Sequence, residues 1–99
     1  MENVKDVLNK LNITDPGKYD NHFYVINLAD SNAYAKMYTN LCNHAENTED
    51  PAFKINTSNT TTGITNYFTV DCNNCTYNVF LIADFDKNAY YVKIDELGD

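Results

Sequence analysis

The sequence predicts an α+β domain, with a mostly antiparallel sheet of about five strands and two helices packed on one of its faces. Runs of alternating apolar and polar residues recur in the second half of the chain, and this period is typical of strands with one buried face. Two earlier segments instead carry apolar residues at helical spacing. The 99 residues, with a hydrophobic share of 43%, suffice for one core and argue against disorder. We therefore expect residues 1–99 to form a single domain.

The chain opens with a short amphipathic helix. Four apolar residues have the i, i+3, i+4, i+7 spacing of one helical stripe: Val4, Val7, Leu8 and Leu11. Asp15-Pro16-Gly17-Lys18 follows, and its Pro-Gly pair is typical of a type II turn. Phe23–Leu28 is apolar at nearly every position, which predicts a strand.

A second and longer helix is predicted after Asp30-Ser31, whose side-chain oxygens suit a helix N-cap. Its apolar stripe is expected to lie across the sheet and consists of Tyr34, Met37, Tyr38, Leu41 and Ala45. A polar, acidic surface loop follows over residues 46–51.

The second half of the chain is predicted to be a meander around one long hairpin. Its arms are Ile64–Cys72 and Cys75–Phe85, joined at Asn73-Asn74, because Asn tolerates the positive φ of a tight turn. The second arm is apolar on both faces, which is typical of a central strand. Before the hairpin, Phe53, Ile55 and Thr57 alternate as a strand, and a flexible connection is expected over 58–63. After the hairpin, a turn at Asp86-Lys87-Asn88 leads to a last strand with Tyr90, Val92 and Ile94. The expected buried residues are Tyr34, Met37, Leu41, Phe68, Val70, Val79 and Leu81.

The charge balance restricts the partners that the protein can have. Fourteen Asp and Glu oppose seven Lys, no Arg is present, and the net charge is −7. Repulsion from phosphates disfavours direct nucleic-acid binding, whereas a basic protein surface is a compatible partner. The alternative is that the charge only keeps a small protein in solution. No apolar run reaches membrane-spanning length and no leader pattern is visible, so we expect a cytoplasmic protein without a membrane partner.

Two patterns resemble metal sites. Cys72 and Cys75 have C-x2-C spacing, and Cys42 with His44 would complete a Cys3His zinc set. Because Cys42 lies beside the apolar helix stripe, free thiols and no cofactor are the expectation. Asp84, Asp86 and Asn88 start a calcium-loop pattern in which Asp95 is the twelfth position, but its sixth position is Ala89 instead of Gly, which favours a plain polar turn. No nucleophile or metalloprotease motif is present, so we expect a protein that is not an enzyme.

The acidic residues fall mainly in loops and at strand ends, where a scaffold usually presents its contacts. The predicted partner-binding residues are Glu46, Glu49, Asp50, Asp84, Asp86, Asp95 and Glu96, with Tyr90 and Tyr91 as aromatic anchors. In length, acidity and lack of Arg, the chain resembles the small acidic anti-CRISPR and related anti-defence proteins of phages. The resemblance implies an inhibitor that blocks the nucleic-acid groove of a CRISPR effector or other host nuclease by charge mimicry, in the bacterial cytoplasm. The alternatives are a phage or bacterial protein-interaction domain with another role, and a Cys3His zinc domain.

Overall fold

The computed structural model describes residues 4–46 and 55–96, which form two helices and one antiparallel sheet of six strands. The helices are α1 (Val4–Lys10) and α2 (Ser31–Glu46). The strands are β1 (Lys18–Asp20), β2 (Phe23–Leu28), β3 (Asn56–Thr60), β4 (Gly63–Cys72), β5 (Cys75–Asp84) and β6 (Ala89–Glu96). The predicted α+β class is confirmed, with six strands instead of about five.

The strand order is β1-β2-β6-β5-β4-β3. The last four strands of the chain are a meander in which each strand pairs with the next. The β1–β2 hairpin then joins the sheet on the free side of β6. As a result, β5 and β6 occupy the middle of the sheet, as the apolar sequence of the second hairpin arm predicts.

The predicted central hairpin is confirmed, with arms over Gly63–Cys72 and Cys75–Asp84 in place of Ile64–Cys72 and Cys75–Phe85. Cys72 pairs with Cys75, and the two residues between them, Asn73 and Asn74, have φ values of 54° and 65°. Positive φ at both central positions is the type I′ turn that matches strand twist. Every other non-glycine residue described with positive φ is also asparagine: Asn12, Asn21 and Asn88. The many asparagines of this chain therefore supply its left-handed positions.

The start of α2 and the end of α1 each have an ordinary helix cap. Asp30 Oδ1 accepts a hydrogen bond of 2.9 Å from the Ala33 amide at the start of α2, which confirms the predicted N-cap. At the end of α1, the Ile13 amide donates to the Leu8 carbonyl at 2.8 Å. With the left-handed Asn12 before it, this is a Schellman motif.

The type II turn predicted around Gly17 is wrong. Gly17 does not have the positive φ that such a turn requires, and a Cβ there would lie 2.7 Å from both Tyr24 Cε2 and the Val25 carbonyl oxygen. The Gly17 amide also donates to the Tyr24 hydroxyl at 3.1 Å. Glycine is needed here because the chain passes close to β2. Sequence reasoning also missed β1, whose three residues are all exposed and give no alternating pattern.

The strand before the central hairpin differs from its prediction. It runs over Asn56–Thr60, so half of the expected flexible connection belongs to β3 and only Thr61-Thr62 forms the turn. The turn is tight because Thr60 Oγ1 accepts hydrogen bonds from the amides of Thr62 and Gly63, at 3.3 and 3.1 Å. Phe53 lies outside the described residues. The apolar pattern misled because all of β3 is exposed.

The core lies between the two helices and one face of the sheet. Of the seven residues predicted to be buried, six are buried: Met37, Leu41, Phe68, Val70, Val79 and Leu81. Tyr34 is only half-buried, because its hydroxyl lies at the edge of the core and accepts a hydrogen bond of 2.7 Å from Asn66 Nδ2. Thr57 Oγ1 in turn donates to Asn66 Oδ1 at 2.8 Å, so the buried amide is paired on both sides.

Candidate functional site

The two faces of the sheet have different surroundings. Successive residues of a strand point to opposite faces, so β5 sends Val79 and Leu81 to one face and Phe80 and Ile82 to the other. The first face carries the buried cluster that contains the apolar residues of both helices. We call the second face, opposite the helices, the open face.

Six apolar side chains form a continuous patch on the open face, which we call the aromatic strip. Register places them side by side on the four strands from β2 to β4. All are half-buried, and none belongs to the buried core cluster or to the side chains packed against it. No described helix therefore covers the strip, which consists of Phe23, Val25, Tyr67, Phe80, Ile82 and Tyr91.

Lys93 lies within the aromatic strip, in register with Val25 and Phe80. Its Nζ is 4.1 Å from the ring centroid of Phe23 and 5.7 Å from that of Phe80. These are cation–π distances, and the aliphatic part of the lysine covers apolar surface. The rings of Phe80 and Tyr67 are 5.2 Å apart, so the rings of three strands form one connected surface.

Carboxylates flank the aromatic strip at both ends of the strands. Asp20, Asp71 and Asp95 lie on the open face near the β1–β2 and β4–β5 turns. Asp84 lies at the opposite end, beside Asp86 in the β5–β6 turn. Asp95 pairs with Asn78, six residues along β5 from Asp84, a separation of about 20 Å. The acidic residues are therefore two groups with apolar surface between them.

Asp95 contains an unsatisfied buried atom. Its Oδ1 is buried and has no hydrogen-bond donor among the described residues, and it lies in register between Phe23 and Asn78. A buried polar atom without a partner costs roughly 1–3 kcal/mol. A positively charged group brought to this end of the strip would recover part of that cost.

The predicted partner-binding residues are divided between the two faces. Asp84, Tyr91 and Asp95 lie on the open face, whereas Tyr90 points to the helix side, where its ring centroid is 5.8 Å from that of Tyr34. Tyr90 and Tyr91 therefore lie on opposite faces of the sheet, as the alternation of a strand requires. Glu49 and Asp50 lie outside the described residues, as do the side chains of Glu46, which ends α2, and Glu96, which ends β6.

Sequence reasoning missed most of the aromatic strip. The signal was present in Phe23–Leu28 and in Val79-Phe80-Leu81-Ile82, which are apolar at positions of both parities. We interpreted the second segment as a strand buried on both faces. In the structure, only one face of these strands meets the core, and the other forms the strip.

The structure describes most residues of the zinc and calcium patterns. Among the described residues, no group of three or more His, Cys, Asp or Glu is placed to hold a metal ion. Cys42, Cys72 and Cys75 are half-buried and form no disulfide, and Cys72 and Cys75 pack against the core. The His44 side chain lies outside the described residues. Asp84 Oδ1 instead accepts the Lys87 amide at 3.1 Å, which is the bonding of a polar turn.

Comparison with protein-family models, curated proteins and solved structures gives no match to this chain. The candidate site is therefore identified from its own geometry. No helix among the described residues is long and apolar enough to cross a membrane.

Proposed function

We propose that this protein is a non-enzymatic binding module that attaches to a basic surface of another protein through its open face. The supporting observation is an aromatic strip left uncovered by the described helices and flanked by carboxylates at both ends. A protein interface usually has apolar and aromatic residues at its centre and polar residues at its rim. An uncovered aromatic patch on a small protein is typical of an interaction surface.

Charge favours a protein partner over a nucleic acid. Aromatic rings on an open sheet also occur in proteins that stack single-stranded bases, but those proteins add positive charge along the phosphate backbone. Here the described open face carries four carboxylates (Asp20, Asp71, Asp84, Asp95) against two lysines (Lys18, Lys93). With a net charge of −7 and no Arg, the chain repels phosphates and attracts basic proteins.

The narrower form of the proposal is inhibition of a host defence nuclease, such as a CRISPR effector. A nucleic-acid channel lined with Lys and Arg is one basic surface that this face fits. The two separated acidic groups and the apolar surface between them favour binding by shape and charge together over imitation of a continuous phosphate chain. The protein would act stoichiometrically and without turnover.

The experiment is affinity capture from bacterial lysate at low and high salt, followed by a competition assay. A captured nuclease is assayed for nucleic-acid binding with and without this protein. We expect stoichiometric, salt-weakened inhibition, because rim charges are screened by salt. A triple variant, Asp84→Asn, Asp86→Asn and Asp95→Asn, should associate more slowly.

A charge-matched pair of single variants makes the outcome decisive. Asp84→Asn removes one carboxylate from the open face, and Asp15→Asn removes one from an exposed position beside α2. Equal association rates for these two variants would contradict the charge part of the proposal. Turnover of any substrate by the purified protein would contradict the non-enzymatic part.

A further inference from the structure

The shape of the open face indicates which element of a partner it receives. Resting on the function proposed above, we infer that the aromatic strip binds an amphipathic α-helix of the partner, with Lys or Arg near both helix ends. A sheet face becomes covered by a helix or by a second sheet. The spacing of charges, the packing on the other face and the net charge of the chain favour the helix.

The length of the strip matches a short helix. Asp95 and Asp84 are six residues apart along the central strands, a distance of about 20 Å. At a rise of about 1.5 Å per residue, a helix of about 14 residues spans that distance. The strip extends over four strands, about 14 Å from the first strand axis to the last at a spacing of about 4.8 Å, which exceeds the diameter of one helix, about 10 Å.

The opposite face of the same sheet already binds a helix of this size. The 16-residue α2 packs on β2, β5 and β6, and its Met37 and Leu41 belong to the buried cluster. The same three strands carry five of the six residues of the aromatic strip on their other side: Phe23, Val25, Phe80, Ile82 and Tyr91. A partner helix would therefore meet a sheet whose twist and width already accommodate one.

Charge indicates what the helix carries and disfavours a second copy as its source. Carboxylates at both ends of the strip attract cationic side chains, and Asp95 Oδ1 lacks a donor. The helix α2 carries one lysine, Lys36, so it lacks cationic side chains at both ends. The whole chain has a net charge of −7, so two copies repel each other. The occupant is thus a basic helix of a different protein.

The test uses synthetic peptides with the intact protein. The first probe is a helical peptide of about 14 residues with a leucine stripe and lysines in its first and last turns. The second peptide has the same composition with the leucines moved out of the stripe, and the third has glutamates in place of the lysines. The fourth probe is a single-stranded oligothymidylate. Affinity is measured by fluorescence anisotropy, and the binding face is mapped by amide chemical shifts.

We expect the first peptide to bind and to shift amides around Val25, Ile82 and Tyr91. Ile82→Lys should weaken it by about tenfold or more, because it places a charge under the apolar stripe. Tyr38→Lys adds the same charge on α2, where Tyr38 is 39% exposed, and should leave the affinity nearly unchanged. Equal binding of the scrambled peptide, tighter binding of the oligothymidylate, or shifts on the helix side would overturn the inference.

This experiment separates the inference from the function that it rests on. If the first peptide does not bind while a captured partner loses affinity for the Ile82→Lys variant, the helical occupant is wrong while the binding function of the open face stands. If the peptide binds as expected but lysate yields no partner, the proposed function is the part that fails.

Discussion

Leu81 and Ile82 are neighbours in β5 that provide an internal test of the open face. Leu81 is fully buried at 0% exposure beneath the helices, whereas Ile82 is half-buried on the open face. Truncating a fully buried leucine to alanine costs about 2–5 kcal/mol, because transfer and cavity terms add. A half-buried isoleucine loses about half of its full burial energy, which is about 1 kcal/mol, plus a few tenths for strand propensity.

We therefore expect Leu81→Ala to destabilise the protein at least twice as much as Ile82→Ala. The measurement is urea unfolding followed by circular dichroism, with a slope of about 1–3 kcal/mol/M and the midpoint read for each variant. Repeating it at several protein concentrations tests for self-association, since a dimer's stability depends on concentration. Equal losses for the two variants would refute the reasoning, because they would mean that Ile82 is as well covered as Leu81.

Three other predictions concern the fold and the thiols. Tyr34→Phe should cost about 1–3 kcal/mol in urea unfolding, because Asn66 Nδ2 loses its acceptor. Burial also raises the pKa of Tyr34 above 10.0, so the free energy of unfolding of the wild type should fall as the pH rises past that value. The fall should be smaller in Tyr34→Phe, which lacks the hydroxyl. Asn74→Gly should keep or raise the melting temperature and Asn74→Val should lower it, since position 74 has φ 65°. Protein purified without chelator should contain no stoichiometric zinc. EDTA should not change the melting temperature of the wild type or of the Cys72→Ser/Cys75→Ser variant. A melting temperature that depends on metal would contradict the prediction of free thiols.

The parts of the fold that were predictable are those in which local and tertiary preferences agree. The central hairpin combines alternation in both arms with an Asn-Asn turn, and the structure has the predicted register. The Asp30 cap is equally local, because its hydrogen bond involves residues three apart. Edge strands gave no such signal: β1 and β3 are exposed on both faces, so no periodic burial shaped their sequences.

The candidate site was less predictable because periodicity reports polarity and says nothing of what covers a face. The pattern at Phe80 and Ile82 is the same whether a helix or solvent lies above them. The acidic residues were visible in the sequence, but their grouping depended on pairing between distant strands, such as Phe23 with Asp95. Tyr90 and Tyr91 were predicted together as anchors because they are neighbours in sequence, but strand alternation places them on opposite faces of the sheet.

Partner binding by matched lysine variants tests the central claim most directly. The dissociation constant of a captured partner is measured for wild type, for Ile82→Lys on the open face and for Tyr38→Lys on the outer side of α2, all with folding checked by circular dichroism. If the open face is the binding surface, Ile82→Lys should lower the affinity by about tenfold or more, and Tyr38→Lys should keep nearly wild-type affinity. Loss in Tyr38→Lys with Ile82→Lys unaffected would contradict it and place the interface on the helix side.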